Sequence, residues 1–354
     1  MKTRICMMVA MTFLLGNSVA LADRVYLYGG GNDYESGKVS SISPTEVTLA
    51  GKPPIPVNTI RYVKFDKESK VLSSARNSVL AGKYTSALKK LTKDLSATIK
   101  EPEGRVDFAF YKAYAYAQYA LRSPASKQEK RLNSAAKQLN SFVSGSGKNS
   151  YHKFEAQEML GDVALAIAKK KNDGKLFAKA KQQYAAVANA APWPGTKLRM
   201  NMKTAQALVA EGNSNEAASI YQQIVDSDVD DEQSAAYKDQ ARLGLANAMA
   251  AGGRVDQALA MVNKVILNTP AEEQDVMANA YMVMARCARA GGKSKEELMA
   301  LLRIDLLYNQ DSDLHAEALS RLAVLWTDEN KPKRAAEAKL TLRSRYPNSP
   351  WLNR

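Results

Sequence analysis

Hydrophobic positions follow three successive patterns along the chain. Ile5 to Leu15 form an apolar run of eleven residues. Residues 24–66 then carry short β-branched and aromatic runs broken by turn residues, the signature of strands. From about residue 69 that alternation stops, and apolar positions recur at helical spacing to the C-terminus. The order predicted is a leader, a small β unit and a long helical region.

Each pattern carries its own punctuation. Lys2 and Arg4 precede the apolar run, and Ala20-Leu21-Ala22 follows it as a small-x-small cleavage site. Residues 1–22 therefore read as a cleaved secretory signal peptide, cut after Ala22, which predicts a secreted or periplasmic protein. The run is too short to span a bilayer comfortably, and no later stretch approaches 18 apolar residues, so the chain is not expected to be integral to a membrane. Cys6 lies inside the run rather than just after a cleavage box, so it does not read as a lipoprotein cysteine.

Residues 23–67 are expected to form a small β half-barrel of the SH3 or Sm kind. Five strands are predicted, over 25–28, 37–42, 46–49, 55–57 and 60–65. Gly29-Gly30-Gly31, Ser43-Pro44 and Lys52-Pro53-Pro54 separate them. So small a unit is marginal alone, which predicts that it docks on the helices that follow.

Residues 68–354 carry a recurring phrase. A turn residue is followed, five positions on, by a small residue that opens an amphipathic run: Gly82 and Ala87, Gly212 and Ala217, Gly253 and Ala258. Gly292 with Glu297 and Asn330 with Ala335 are looser copies. Seven residues before each turn residue sits an alanine: Ala75, Ala205, Ala246, Ala285 or Ala323. Such small positions let two antiparallel helix backbones approach, and the turn residue supplies the left-handed conformation that ends the first helix. Four residues after the second small position comes Leu91, Tyr221, Val262 or Leu301, bulky enough to fill the groove to the next pair; Lys339 departs from this. Thr269-Pro270-Ala271-Glu272 reads as a capping box.

These features resemble the tetratricopeptide-repeat family, whose unit is a helix–turn–helix of about 34 residues. From Ala180 the small positions step by 37, 41, 39 and 38 residues, looser than the family's spacing. Residues 105–143 and 151–190 read as two more degenerate pairs. The resemblance covers roughly 69–350 and implies a mainly α protein, an α-solenoid of about seven helix pairs. Together with the leader and the β unit, it resembles secreted bacterial envelope repeat proteins. The ending RYPNSPWLNR is similar to the helix-ending segment of such proteins.

Charge changes the picture in one respect. The net charge is +14, but residues 67–205 hold 26 basic and 10 acidic side chains, while residues 206–354 hold 17 and 21. That asymmetry points to an anionic partner for the basic half, such as an acidic protein, a lipid headgroup or an acidic wall polymer. Nucleic acid is not expected to meet a secreted chain. A solvated lysine-rich surface explains the same numbers without a partner.

Candidate chemistry is sparse. With two cysteines, one of them in the leader, and two histidines, neither a disulfide framework nor a multi-histidine metal site is available. Cys287 lies in a helical pattern and reads as a buried thiol. Residues 144–148 (SGSGK) lack the first glycine of a P-loop, and no Gly-x-Ser-x-Gly or His-Glu-x-x-His occurs. The acidic run 226–232 lacks the glycine of a calcium loop and reads as a helix connector. No cofactor and no catalytic activity are expected. In the helix at 105–121, Phe108, Tyr111 and Tyr119 can share a core face, leaving Tyr114 and Phe110 as a candidate sticky surface.

The resemblance implies an inner, partner-facing surface lined by the first helix of each pair. Family positions about thirteen, ten, six and three residues before the turn residue map here onto Arg76, Arg199, Gln206, Gln240, Asn247, Asn279, Arg286, Arg289 and Glu317. That mixture suits an extended protein or peptide segment of acidic character. Leu243 stands where the family's carboxylate-clamp subset has lysine, so that clamp is not expected. The chain is expected to be a protein-binding scaffold. The alternative is a cell-envelope protein that holds an anionic surface or polymer through residues 67–205.

Overall fold

A computed structural model describes residues 22–29, 33–229, 232–347 and 349–353. The expected signal peptide, residues 1–22, lies outside the described residues except for Ala22.

Among the described residues six strands form two antiparallel sheets. The first has the order β2-β1-β6, from Tyr34–Gly37, Asp23–Leu27 and Ile60–Lys64. The second has the order β3-β4-β5, from Val39–Ile42, Glu46–Leu49 and Ile55–Pro56. Val25 pairs with both Glu35 and Val63, so β1 is central. Inward-facing Val25, Val47, Leu49, Ile60, Val63 and Phe65 make the core of this unit, and Tyr151 from the helical region completes it.

One strand more is present than the five expected. Residues 34–37 (YESG) are polar and lie at a sheet edge, largely exposed, so no buried side chain betrays the strand. Backbone pairing with β1 alone selects it.

Among the described residues seven helix pairs follow. They are α1 and α2 (Lys70–Leu80, Tyr84–Lys90), α4 and α5 (Pro102–Leu121, Ala125–Ser144), and α6 and α7 (Lys153–Lys171, Gly174–Ala190). Next come α8 and α9 (Pro194–Glu211, Ser214–Val225) and α10 and α11 (Glu232–Ala251, Val255–Asn268). The last are α12 and α13 (Gln274–Ala290, Ser294–Leu307) and α14 and α15 (Ser312–Asp328, Pro332–Arg345). A short helix, α3 (Lys93–Thr98), is inserted between the first two pairs.

The turn residues behave as their spacing requires. Gly82, Gly212, Gly253, Gly292 and Asn330 all have positive φ, as does Asn172 in the more degenerate third pair. The alanines seven positions earlier are buried, as are Ala87, Ala217, Ala258 and Ala335. Leu91, Tyr221, Val262 and Leu301 fill the space toward the next pair. Lys339 is exposed. A 3-10 turn at Pro350–Asn353 places Trp351 and Leu352 against the core shared by α12 to α15.

Two local expectations fail. Residues 269–272 do not cap α12. The Thr269 hydroxyl donates to the Val265 carbonyl oxygen at 2.7 Å, so the residue closes α11, and α12 starts only at Gln274. Phe110 is not a surface aromatic. It is buried and stacks on His152 with ring centroids 3.6 Å apart, because α4 packs against α5, α6 and the first pair at once.

Candidate partner-binding groove

First helices of successive pairs pack side by side, α8 on α10, α10 on α12 and α12 on α14. They form one layer of the solenoid, and three depressions lie along it.

The central one is a groove of about 500 Å³. It collects Gln206 from α8, Gln240 and Asn247 from α10, and Asn279 and Arg286 from α12. Each helix contributes at i, i+4 and i+7, with α10 adding i+3: Met202, Gln206 and Val209; Gln240, Leu243, Gly244 and Asn247; Asn279, Val283 and Arg286. Lys169, Ala210 and Tyr221 complete the lining, which holds two cations, four carboxamides and no carboxylate. Among the described residues no hydrogen bond occupies the side-chain amides of Gln206, Gln240 or Asn247, whereas Asn279 donates to the Asp275 carbonyl oxygen at 2.8 Å. Tyr221 reaches the groove because Gly244 has no side chain: a Cβ there would come within 2.5 Å of the tyrosine ring.

A smaller depression of about 190 Å³ adjoins it and contains Arg286, Arg289 and Glu317. Arg286 is held by Glu317 through two parallel bonds, Nη2 to Oε2 at 2.6 Å and Nε to Oε1 at 3.1 Å. Arg321 and Glu297 make a second such fork beside it, at 2.6 and 3.2 Å. Glu297 stands where other pairs carry alanine, and there it is buried.

Arg199 lies in a third depression, where the helices meet the β unit, and pairs with Glu158 at 2.9 Å. Burial raises Glu158 above the ordinary carboxylate range against the pull of Arg199 and Lys203.

Arg76 requires a correction. It is 1% exposed and faces no groove. Its Nη1 donates to the Val63 carbonyl oxygen at 3.1 Å and to Glu68 at 2.6 Å, and its guanidinium lies over the Tyr62 ring at 4.5 Å. In the first pair the β unit covers the face that is open in later pairs, so the family position becomes a strut. Asp107, Tyr151 and His152 continue this buried polar junction.

The sequence did not mark Lys169, Met202 or Val283 as groove residues, and it marked Tyr221 only as a packing residue toward the next pair. Helical spacing from Gln206 and Asn279 reaches Met202 and Val283, whereas Lys169 comes from another helix and carries no such signal. Among the described residues no group of three or more His, Cys, Asp or Glu side chains could hold a metal ion, and no helix is long and apolar enough to cross a membrane.

No protein-family model matches the chain, and no curated protein matches it in sequence. Solved structures do match in fold. A tetratricopeptide-repeat protein from Parabacteroides merdae is 14% identical, with a TM-score of 0.54 over 80% of this chain and 96% of that one. A Rap protein complexed with competence and sporulation factor is 14% identical, with a TM-score of 0.48 over 79% and 76%. PilW, a type IV pilus biogenesis factor, is 14% identical, with a TM-score of 0.43 over 68% and 96%. The helical region thus has the tetratricopeptide-repeat fold, as its turn and alanine spacing implied.

Proposed function

We propose that this chain is a binding scaffold, with no catalytic role, whose groove along α8, α10 and α12 takes an extended segment of a partner protein. One observation carries this reading: Gln206, Gln240, Asn247, Asn279 and Arg286 converge on one groove whose lining has no carboxylate. Carboxamides offer both a donor and an acceptor, which suits the backbone of a strand-like segment. Lys169 and Arg286 favour acidic side chains on it. The leader sequence supports a secreted or periplasmic location, and we divide the chain into signal peptide 1–22, β unit 23–67 and solenoid 68–354. The test is an affinity capture from the envelope fraction at low and high salt. A discrete protein retained at high salt by wild type and lost with Asn247→Ala plus Asn279→Ala supports the groove. Equal capture by the double variant sinks it.

A second reading has its own observation. Exposed lysines cluster on second helices of the early pairs, including Lys89 on α2, Lys127, Lys130 and Lys137 on α5, and Lys175 and Lys179 on α7. These belong to the layer opposite the groove. This outer face would hold an anionic surface by charge alone. Binding to vesicles with acidic headgroups that disappears near 0.5 M salt, where the Debye length is only about 4 Å, supports it.

A further inference from the structure

We propose that the depression between the β unit and α6, α8 and α10 binds a neutral saccharide, with Tyr28 and Trp193 as stacking platforms and Asn58 and Thr196 as hydroxyl partners. The depression holds about 330 Å³, a volume that suits a small-molecule ligand, and it lies where two structural units meet, as such sites often do. It is separate from the groove, whose lining shares none of its residues.

Aromatic side chains reach it from each wall. Tyr28 follows β1, Phe154 lies on α6, Trp193 caps α8 and Tyr237 lies on α10. Tyr28 is 64% exposed, yet its backbone is held, since its N–H donates to the Thr59 carbonyl oxygen at 2.9 Å. Trp193 is half-buried and precedes Pro194, which keeps its backbone extended (φ −86°, ψ 123°) where α8 begins. It meets Phe154 edge to face, with ring centroids 6.1 Å apart and planes at 83°. Whichever ring supplies the edge, Phe154 leaves at least one face of Trp193 uncovered. Large rings held in place in this way take apolar surface at little conformational cost.

Polar groups line the same depression. Among the described residues no hydrogen bond occupies the Asn58 carboxamide, the Arg61 guanidinium or the Thr196 hydroxyl. Glu155, Arg61 and Arg199 all act electrostatically on the Tyr28 hydroxyl, so the polar groups lie within reach of that ring. The charges balance. Arg61 and Arg199 are matched by Glu155 and Glu158, with Arg199 and Glu158 2.9 Å apart, and His152 is offset by buried Asp107 at 3.4 Å. Such a lining selects neither an anion nor a cation.

A pyranose suits both features. Its C–H face covers a ring, and its rim of hydroxyls offers paired donors and acceptors to a carboxamide, a guanidinium and a carboxylate. Hydrogen bonds to charged side chains are the stronger ones, so a neutral polyol gains from these charges whatever their sign. A flat heterocycle would cover the rings but leave several of the polar groups unpaired once water is displaced, which costs affinity.

The experiment is saturation-transfer NMR on the full chain with a panel of neutral hexoses, N-acetylhexosamines and their disaccharides, and with galacturonate as the charged control. The expected result is transfer to the C–H protons of at least one neutral sugar, with an affinity that added salt leaves unchanged. Tyr28→Ala and Asn58→Ala should each raise its Kd about tenfold in a chain of unchanged circular dichroism. Both residues are exposed, so neither truncation opens a core. No transfer to any neutral sugar overturns the proposal, as does tighter binding of galacturonate than of galactose, or binding that collapses with salt. Transfer that survives both variants overturns this site, and its loss with Asn247→Ala plus Asn279→Ala would move the sugar to the groove.

Discussion

Arg76 in the first helix and Val63 in the last strand are joined by a buried hydrogen bond of 3.1 Å, which ties the β unit to the solenoid. Arg76 also holds Glu68 at 2.6 Å, with both side chains 1% exposed. Removing one partner of such a pair strands a charge away from water, at a cost of about 3–5 kcal/mol. Arg76→Ala should lower the unfolding free energy by that amount in a denaturant titration. It should also speed proteolytic cleavage between β6 and α1.

Glu297 makes the contrasting case. Its partner Arg321 is 29% exposed and can reach water when released. Alanine is also what other pairs place at this position. Glu297→Ala should therefore cost no more than about 1 kcal/mol, the range of exposed ion pairs. A loss near that of Arg76→Ala would refute the argument that solvent access decides the difference.

Arg286 faces both the central groove and the fork with Glu317. Glu317→Gln would free its charge for a ligand. Affinity for an acidic peptide captured by the groove should rise several-fold, measured by fluorescence anisotropy, and the gain should shrink with added salt.

His152 sets a pH dependence. Burial lowers its basicity, but Asp107 at 3.4 Å and Glu155 at 3.7 Å outweigh this, so its pKa is raised above 6.5. A raised value means the folded state holds the proton more tightly than the unfolded chain. The resulting stability is full below about pH 6.5 and is lost as pH rises through the folded value. Melting temperature should fall between pH 6 and pH 9, and His152→Phe should flatten that slope. A steeper fall in the variant would reverse the sign.

Cys287 is buried, its Sγ lies 3.7 Å from the Ala246 carbonyl oxygen, and burial pushes its pKa up to about 11. Little thiolate forms near neutrality, and reagent cannot reach it. A thiol-reactive dye should label Cys287, read by peptide mass mapping, at the rate of unfolding in the native chain and within seconds in the denatured one.

Much of this architecture was legible without coordinates, because its rules are local. A positive-φ turn residue, an alanine seven positions before it and a small residue five positions after it are set by the contact of two adjacent helices. Gln206, Asn247 and Arg286 followed from counting back from those turns. The polar edge strand Tyr34–Gly37 was not legible, since its partner rather than its own pattern defines it.

The sequence by itself determined the order of the β unit and helices, the seven pairs, and the four carboxamides and Arg286 of the groove, because neighbouring repeats repeat one contact geometry. Tertiary structure decided what depends on where the β unit rests. Its docking on the first pair turns Arg76 from a candidate groove residue into a buried strut, and it places Arg61 across from Arg199, some 140 residues away in sequence. Residues so distant share no periodicity, and only the closing of the chain on itself brings their charges into one pocket.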